Sequence, residues 1–180
     1  MPLEFFVTQK TFVTHPGSLK FSCISTKNNI FFLFLNTEQF INHERVIFLE
    51  NFTDDKVLKF ISTCDAMIHA RYHGETFGLA IAEFSAANKP VITFKKSKDK
   101  EHLKILKDKA ILYSNENELN KIFELLPEII NKQNSWNAYK DYEPANVMKI
   151  FNSICLEERK KSLFYISVSY THLRAHETST

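Results

Sequence analysis

Two glutamates carry the chemistry this sequence offers. Glu75 and Glu83 bracket the run Glu75-Thr-Phe-Gly-Leu-Ala-Ile-Ala-Glu83, and Lys89-Pro90-Val91-Ile92 begins six residues later. The pattern predicts Glu75 just before a helix, Gly78 in the first turn, Glu83 two turns on, and a strand next. Unpaired amides and the dipole at a helix N-terminus favour a negative ligand. A pyrophosphate can be held there by the amides near Phe77, Gly78 and Leu79, and the missing side chain of Gly78 lets it come close. Glu83 lies about 10 Å farther along the axis at the helical rise per residue. Among Leu79, Ala80, Ala86 and Ala87, its carboxylate can accept two hydrogen bonds from a ribose diol. A ligand polar at both ends and charged in the middle fits this arrangement, and a nucleotide-sugar is such a ligand. The spacing of two glutamates alone decides nothing, since any solvated helix can carry them. The meaning lies in Phe77-Gly78-Leu79 between them and Ala87 to Ile92 behind them.

The elements that must position this run are legible on either side. Ile30 to Leu35 and Val46 to Leu49 are short apolar runs suited to strands buried on both faces. Thr53 stands where it can cap a helix opening with Asp54-Asp55 and carrying Val57, Leu58, Phe60 and Ile61. Ala66 to Ala70 predicts a third strand, with the loop Arg71-Tyr72-His73-Gly74 leaving its end. Thr76 is the expected cap of a helix from about Phe77 to Ala87, and Asn88 its left-handed terminator. Val91 to Phe94 and Ala110 to Tyr113 read as further strands. Glu116 to Leu126 reads as a helix ended by Pro127, and about Glu143 to Glu158 as another. The first thirty residues show neither period and receive no element. Alternating strands and helices call for a three-layer α/β sandwich with a mainly parallel sheet, Rossmann-like, whose ligands bind beyond the carboxyl ends of the strands.

Composition narrows the class. With 180 residues, 44% of them hydrophobic and 24% charged, the chain suits one globular domain. A net charge of +2 gives no field for nucleic acid or an anionic membrane. Three scattered cysteines make neither a disulfide framework nor a metal-ligand set. The longest apolar run is far too short to span a bilayer, and no signal peptide is read at the N-terminus. A cytoplasmic location is expected.

From Cys64-Asp65-Ala66-Met67-Ile68-His69-Ala70-Arg71 through Phe94 the sequence resembles the donor-binding domain of retaining glycosyltransferases with the two-domain B-type fold (GT-B), the broad "group 1" class. The pattern is a strand, then E-x-F-G-L-x-x-x-E, then K-P-V-I, with Asn88 where glycine is common. The resemblance implies that Glu75 contacts hydroxyls of the donor sugar and serves as the catalytic-site carboxylate. It implies that Phe77, Gly78 and Leu79 offer amides to sugar or phosphate, and that Glu83 holds the ribose. Arg71 joins this set as a residue able to reach phosphate, and the region of Asn51 and Phe52 is where the base would sit. The reaction implied moves a sugar from a nucleotide-diphosphate sugar to the hydroxyl of a glycan or other acceptor with retention, hexosyl transfer being the expected type. It needs no cofactor or metal. The resemblance covers one of two domains. An N-terminal acceptor domain is missing from it, as is the family's basic pair, and a membrane's cytoplasmic face is reached only through that missing domain. Alternatives are a sugar-nucleotide epimerase, for which Glu75, His69 and His73 are the acid-base candidates, and a non-catalytic nucleotide-binding module.

The remaining features read as bland. His69 and His73 lack a third ligand for a metal, and Lys95, Lys96, Lys98 and Lys100 form a solvated charge run. Trp136 is expected to pack a terminal helix on the sheet. The expected domain runs over 30–161. Residues 1–29 read as a truncated or frame-shifted start, and residues 162–180, whose Val168 to Thr178 stretch resembles translated sequencing adapter, as an artefactual tail. Such a fragment is expected to be inactive by itself.

Overall fold

The structure, a computed structural model, describes residues 3–7, 30–35, 38–50, 53–132 and 135–157, with only the backbone described at 3–7, 54–55 and 157. The described chain forms two units, Met1–Asp141 and Tyr142–Thr180.

In the first unit the predicted apolar runs do form strands. They are β2 (Ile30–Leu35), β3 (Val46–Leu49), β4 (Ala66–His69), β6 (Val91–Phe94) and β8 (Ala110–Tyr113). One strand of the main sheet was not foreseen. Leu3–Val7 forms β1, within the thirty residues to which the sequence reading assigns nothing, and it sits mid-sheet between β2 and β4. The six-stranded sheet runs β3-β2-β1-β4-β6-β8, and every pairing is parallel. In chain order this is 3-2-1-4-5-6, a doubly wound sheet whose winding reverses between β1 and β4. Ligand crevices of such sheets open beyond the carboxyl ends of the strands at that reversal, and the loop carrying Arg71 and Glu75 leaves β4 there.

Both faces of the sheet are covered. On one side Phe32, Phe34, Ile68, Ile92 and Tyr113 pack with Leu119, Phe123 and Leu126. Those last three come from α4, Glu116–Lys132. On the other, Leu33, Met67 and Val91 meet Phe60, Ile61, Ile81, Phe84 and Leu106. These come from α1 (Asp54–Thr63), α2 (Leu79–Ala86) and α3 (Glu101–Leu106). Alternate residues of one strand thus feed two cores, as parallel strands buried on both faces do. Thr53 takes the N-cap position of α1 in an extended conformation, without a side-chain cap bond.

Pro127 does not end its helix. It lies inside α4, which continues to Lys132. A proline removes one hydrogen bond and costs about 3 kcal/mol in a helix interior. Here the apolar stripe of Leu119, Phe123 and Leu126 continues to Ile130, which packs on the same core, so burial outweighs the break. At the start of α4, Asn115 accepts the Glu118 amide at 3.0 Å, and the Glu118 carboxylate accepts the Ser114 amide at 2.7 Å. This is a reciprocal capping arrangement.

The second unit, described by itself, contains α5 (Pro144–Phe151) followed by a π-helical turn over Asn152–Glu157. It matches the helix expected from Glu143. No helix among the described residues is long and apolar enough to cross a membrane.

Candidate active site

The site grows from the carboxyl ends of β4 and β6. His69 and Thr93 are register partners on these strands, so their side chains leave the same face of the sheet. Both are buried. After His69 the chain turns, and the Gly74 amide closes the turn on the Arg71 carbonyl at 3.1 Å. Gly74 and Glu75 then form β5, which pairs in parallel with β7 (Asp99–Lys100). Gly74 has φ +72°, and a Cβ there would lie 1.8 Å from the Asp99 carbonyl oxygen. Only glycine can occupy this position, for both reasons. The lysine-rich run read as a solvated loop therefore supplies a strand: the Lys98 and Asp99 amides bond the carbonyls of Tyr72 and His73.

Glu75 is half-buried and held from several sides. Arg71 Nη1 donates to its Oε1 at 2.5 Å, and His69 Nε2 lies 3.7 Å from the same oxygen. At its backbone, the Glu75 amide and His102 Nδ1 are 3.2 Å apart. His102, fully buried on α3, also approaches Thr93 Oγ1 with Nε2 at 3.3 Å, and Thr93 Oγ1 reaches His69 Nδ1 at 3.0 Å. Burial lowers the pKa of His69 to about 4, helped by the His102 charge and opposed by Glu75. Burial likewise lowers that of His102, again against Glu75. Both rings are therefore neutral near pH 7.

Thr76 does not cap the helix. Gly78 takes the N-cap position of α2 in the left-handed region, φ +80°, and the helix starts at Leu79. The predicted start was two residues early because Thr76 and Phe77 belong to the bend that Gly78 ends. Asn88 does terminate the helix as expected, with φ +59°. Its amide bonds the Ser85 carbonyl and the Lys89 amide the Phe84 carbonyl, the paired bonds of a Schellman motif.

A segment after α4 straps α2 at both ends. The Trp136 amide donates to Asn88 Oδ1 at 2.7 Å, and Ser85 Oγ donates to the Trp136 carbonyl at 3.0 Å. At the other end, Tyr139 Oη donates to the Phe77 carbonyl at 2.6 Å, and the two rings meet edge-on. Trp136 is buried in this strap.

The structure thus brings Arg71, Glu75, Phe77 and Gly78 onto one bend between β4 and α2. Leu79 and Glu83 lie on the exposed face of α2 with Ala86 and Ala87. Asn51 and Phe52 lie outside the described residues. His73 is exposed against the Tyr72 ring. Among the described residues no three His, Cys, Asp or Glu side chains cluster as metal ligands. Thr93, His102 and Tyr139 were missed by sequence reading. Their partners are distant in the chain, and no local spacing announces them.

The sequence matches the family described as Glycosyl transferases group 1 over residues 27–143. The chain belongs to that family. No curated protein matches it closely enough to count as a relative. Among solved structures it is similar to Alr3699/HepE from Anabaena, crystallised in complex with UDP-glucose. The TM-score is 0.60 and the identity 15%, over 84% of this chain and 44% of that one. It also matches the glycosyltransferase SnogD from Streptomyces nogalater, with TM-score 0.40 and 11% identity over 83% and 43% of the two chains. This group 1 chain therefore spans less than half the length of either protein, and the HepE likeness is one of fold.

Proposed function

We propose that this group 1 chain is the nucleotide-sugar donor half of a retaining glycosyltransferase. The observation that carries the reading is the setting of Glu75. A carboxylate stands at the carboxyl end of β4, beside the reversal of a doubly wound sheet, with both its side-chain contacts on Oε1. Among the described residues nothing bonds Oε2, which is left to accept a sugar hydroxyl. The bend behind it ends at Gly78, where a helix of small residues begins, and the amides of Phe77, Gly78 and Leu79 face a diphosphate. Arg71 divides its charge between Glu75 and that phosphate. Glu83, on the exposed face of α2, takes the ribose.

In this mechanism negative charge grows on the leaving diphosphate, and fixed amides aimed at it stabilise the transition state. Glu75 orients the sugar without a metal or cofactor, and the transferred sugar keeps its anomeric configuration. Acceptor recognition is assigned to a further domain, and the chain alone binds donor weakly and transfers nothing.

Calorimetric titration of UDP and UDP-glucose, with GDP and GDP-mannose as a second pair, tests the reading. Glu75→Ala is expected to weaken only the sugar-bearing ligand, by roughly tenfold or more, since a hydrogen bond to a charged group contributes about 1.5–3 kcal/mol. Glu83→Ala is expected to weaken diphosphate and diphospho-sugar alike. Equal losses of both ligands on Glu75→Ala would remove the sugar-holding role.

A further inference from the structure

Glu75 is touched by one chain of groups at both ends. His102 Nδ1 meets its backbone at 3.2 Å, His102 Nε2 meets Thr93 Oγ1 at 3.3 Å, and Thr93 Oγ1 meets His69 Nδ1 at 3.0 Å. His69 Nε2 then faces the Glu75 carboxylate at 3.7 Å. His69, Thr93 and His102 are all buried, and they come from β4, β6 and α3. Buried polar groups of this kind rely on one another, because water does not reach them, and His69 Nε2 is left facing the carboxylate without a hydrogen bond.

We propose that Thr93 and His102 are positioning residues for Glu75, in a proton-ordered ring that runs from its backbone to its carboxylate and whose last gap, from His69 Nε2 to Oε1, is electrostatic. The order follows from the carboxylate end. At the backbone, His102 Nδ1 lies 3.2 Å from both the Glu75 amide, which donates, and the Glu75 carbonyl, which accepts, so that end admits either tautomer. His69 Nε2 faces the Glu75 carboxylate, where a proton meets the negative charge and a lone pair would oppose it. His69 Nδ1 then accepts from the Thr93 hydroxyl, Thr93 Oγ1 accepts from His102 Nε2, and His102 Nδ1 accepts from the Glu75 amide. The ring fixes the main chain and the carboxylate of Glu75 together, so that Oε2 is presented before ligand arrives. Its use in sugar binding rests on the donor reading above, whereas the ring itself does not.

Long-range proton–nitrogen NMR of the imidazoles in the full chain near pH 7 reads the order directly. The expected result is the Nε2–H tautomer for both His69 and His102. An Nδ1–H tautomer at either ring, or a fast mixture, overturns the proposal. Thr93→Val keeps the shape and cuts the ring. It should release the His69 tautomer into a mixture, shift the Glu75 amide resonance and speed its exchange about tenfold, while Thr93→Ser restores all three. A Glu75 resonance unmoved by Thr93→Val also overturns it. If that variant does not fold, His102→Asn retains an acceptor for the Glu75 amide but cannot reach Thr93. It should free His69 alone, and a fixed His69 tautomer in it counts against the ring. UDP-glucose titration separates the two readings: Thr93→Val should weaken UDP-glucose about fivefold and leave UDP unchanged. With tautomers and Glu75 resonances as expected but UDP-glucose affinity intact in Glu75→Ala, the donor reading falls and the ring stands.

Discussion

Glu75 and Glu83 occupy the same short motif, yet the fold treats them differently. Glu75 is half-buried, paired with Arg71, and tied through His102 to α3. Glu83 stands on the exposed face of an eight-residue helix beside Leu79, itself 74% exposed. One carboxylate is held among buried side chains at the carboxyl end of β4, and the other stands on an exposed helix face. On the reading proposed above, the difference separates two tasks that a sequence motif presents as equal. Choosing a sugar calls for a rigid acceptor, since hydroxyl stereochemistry is read by position.

The comparison breaks most completely at Gly74. Gly74→Ala forces a Cβ into the Asp99 carbonyl in a backbone region that penalises it anyway. It is expected to cost about 3 kcal/mol or more, read by urea denaturation. A loss under ~1 kcal/mol would show that the β5–β7 pairing under Glu75 is dispensable.

Acid should act next. His69 has its pKa lowered from 6.5 to about 4, chiefly by burial, so the unfolded chain binds more protons between those values. Stability contributed by neutral His69 is complete above pH 6.5 and is lost as pH falls toward 4. The loss is on the order of 3 kcal/mol, at 1.36 kcal/mol per pH unit, and His102 adds in the same direction. His69→Gln should flatten the curve of stability against pH over this range. An unchanged slope would mean that the ring is not held neutral.

Tyr139→Phe should sharpen the contrast. It removes the bond to the Phe77 carbonyl, costs about 1 kcal/mol, and loosens the bend between the two glutamates while leaving α2 folded. Thermal melting gives the cost, and circular dichroism the helix.

Glu83→Ala should do least to the fold, within about 0.5 kcal/mol as exposed substitutions usually are. A larger loss in chemical denaturation would make Glu83 a structural residue and end the distinction.

Much of the scaffold was readable because its signals are local. Ile30–Leu35 and Val91–Phe94 are apolar runs bounded by polar residues, and Asn88 before Lys89-Pro90 is a helix stop. β1 was not readable: its five residues include Glu4, and its partners Phe32 and Ala66 are far along the chain. Pro127 misled because a local breaker was overruled by Ile130 packing on the core. Thr76 misled because a residue type suited to capping lay two positions ahead of the turn that Gly78 forms. α3 escaped notice as six residues after a lysine run, and with it His102.

The sequence by itself determined that a parallel α/β sheet would form and that a motif with Glu75 and Glu83 would sit after one of its strands. Hydrophobic period, glycine and helix stops act between neighbours in the chain. Only the tertiary structure decided that β1 would stand mid-sheet, so that the winding reverses beside Glu75. It alone decided that His69, Thr93 and His102 would gather around one glutamate, while the other stands on an exposed helix face. Those outcomes depend on burial and hydrogen bonding between residues tens of positions apart, which no local pattern encodes.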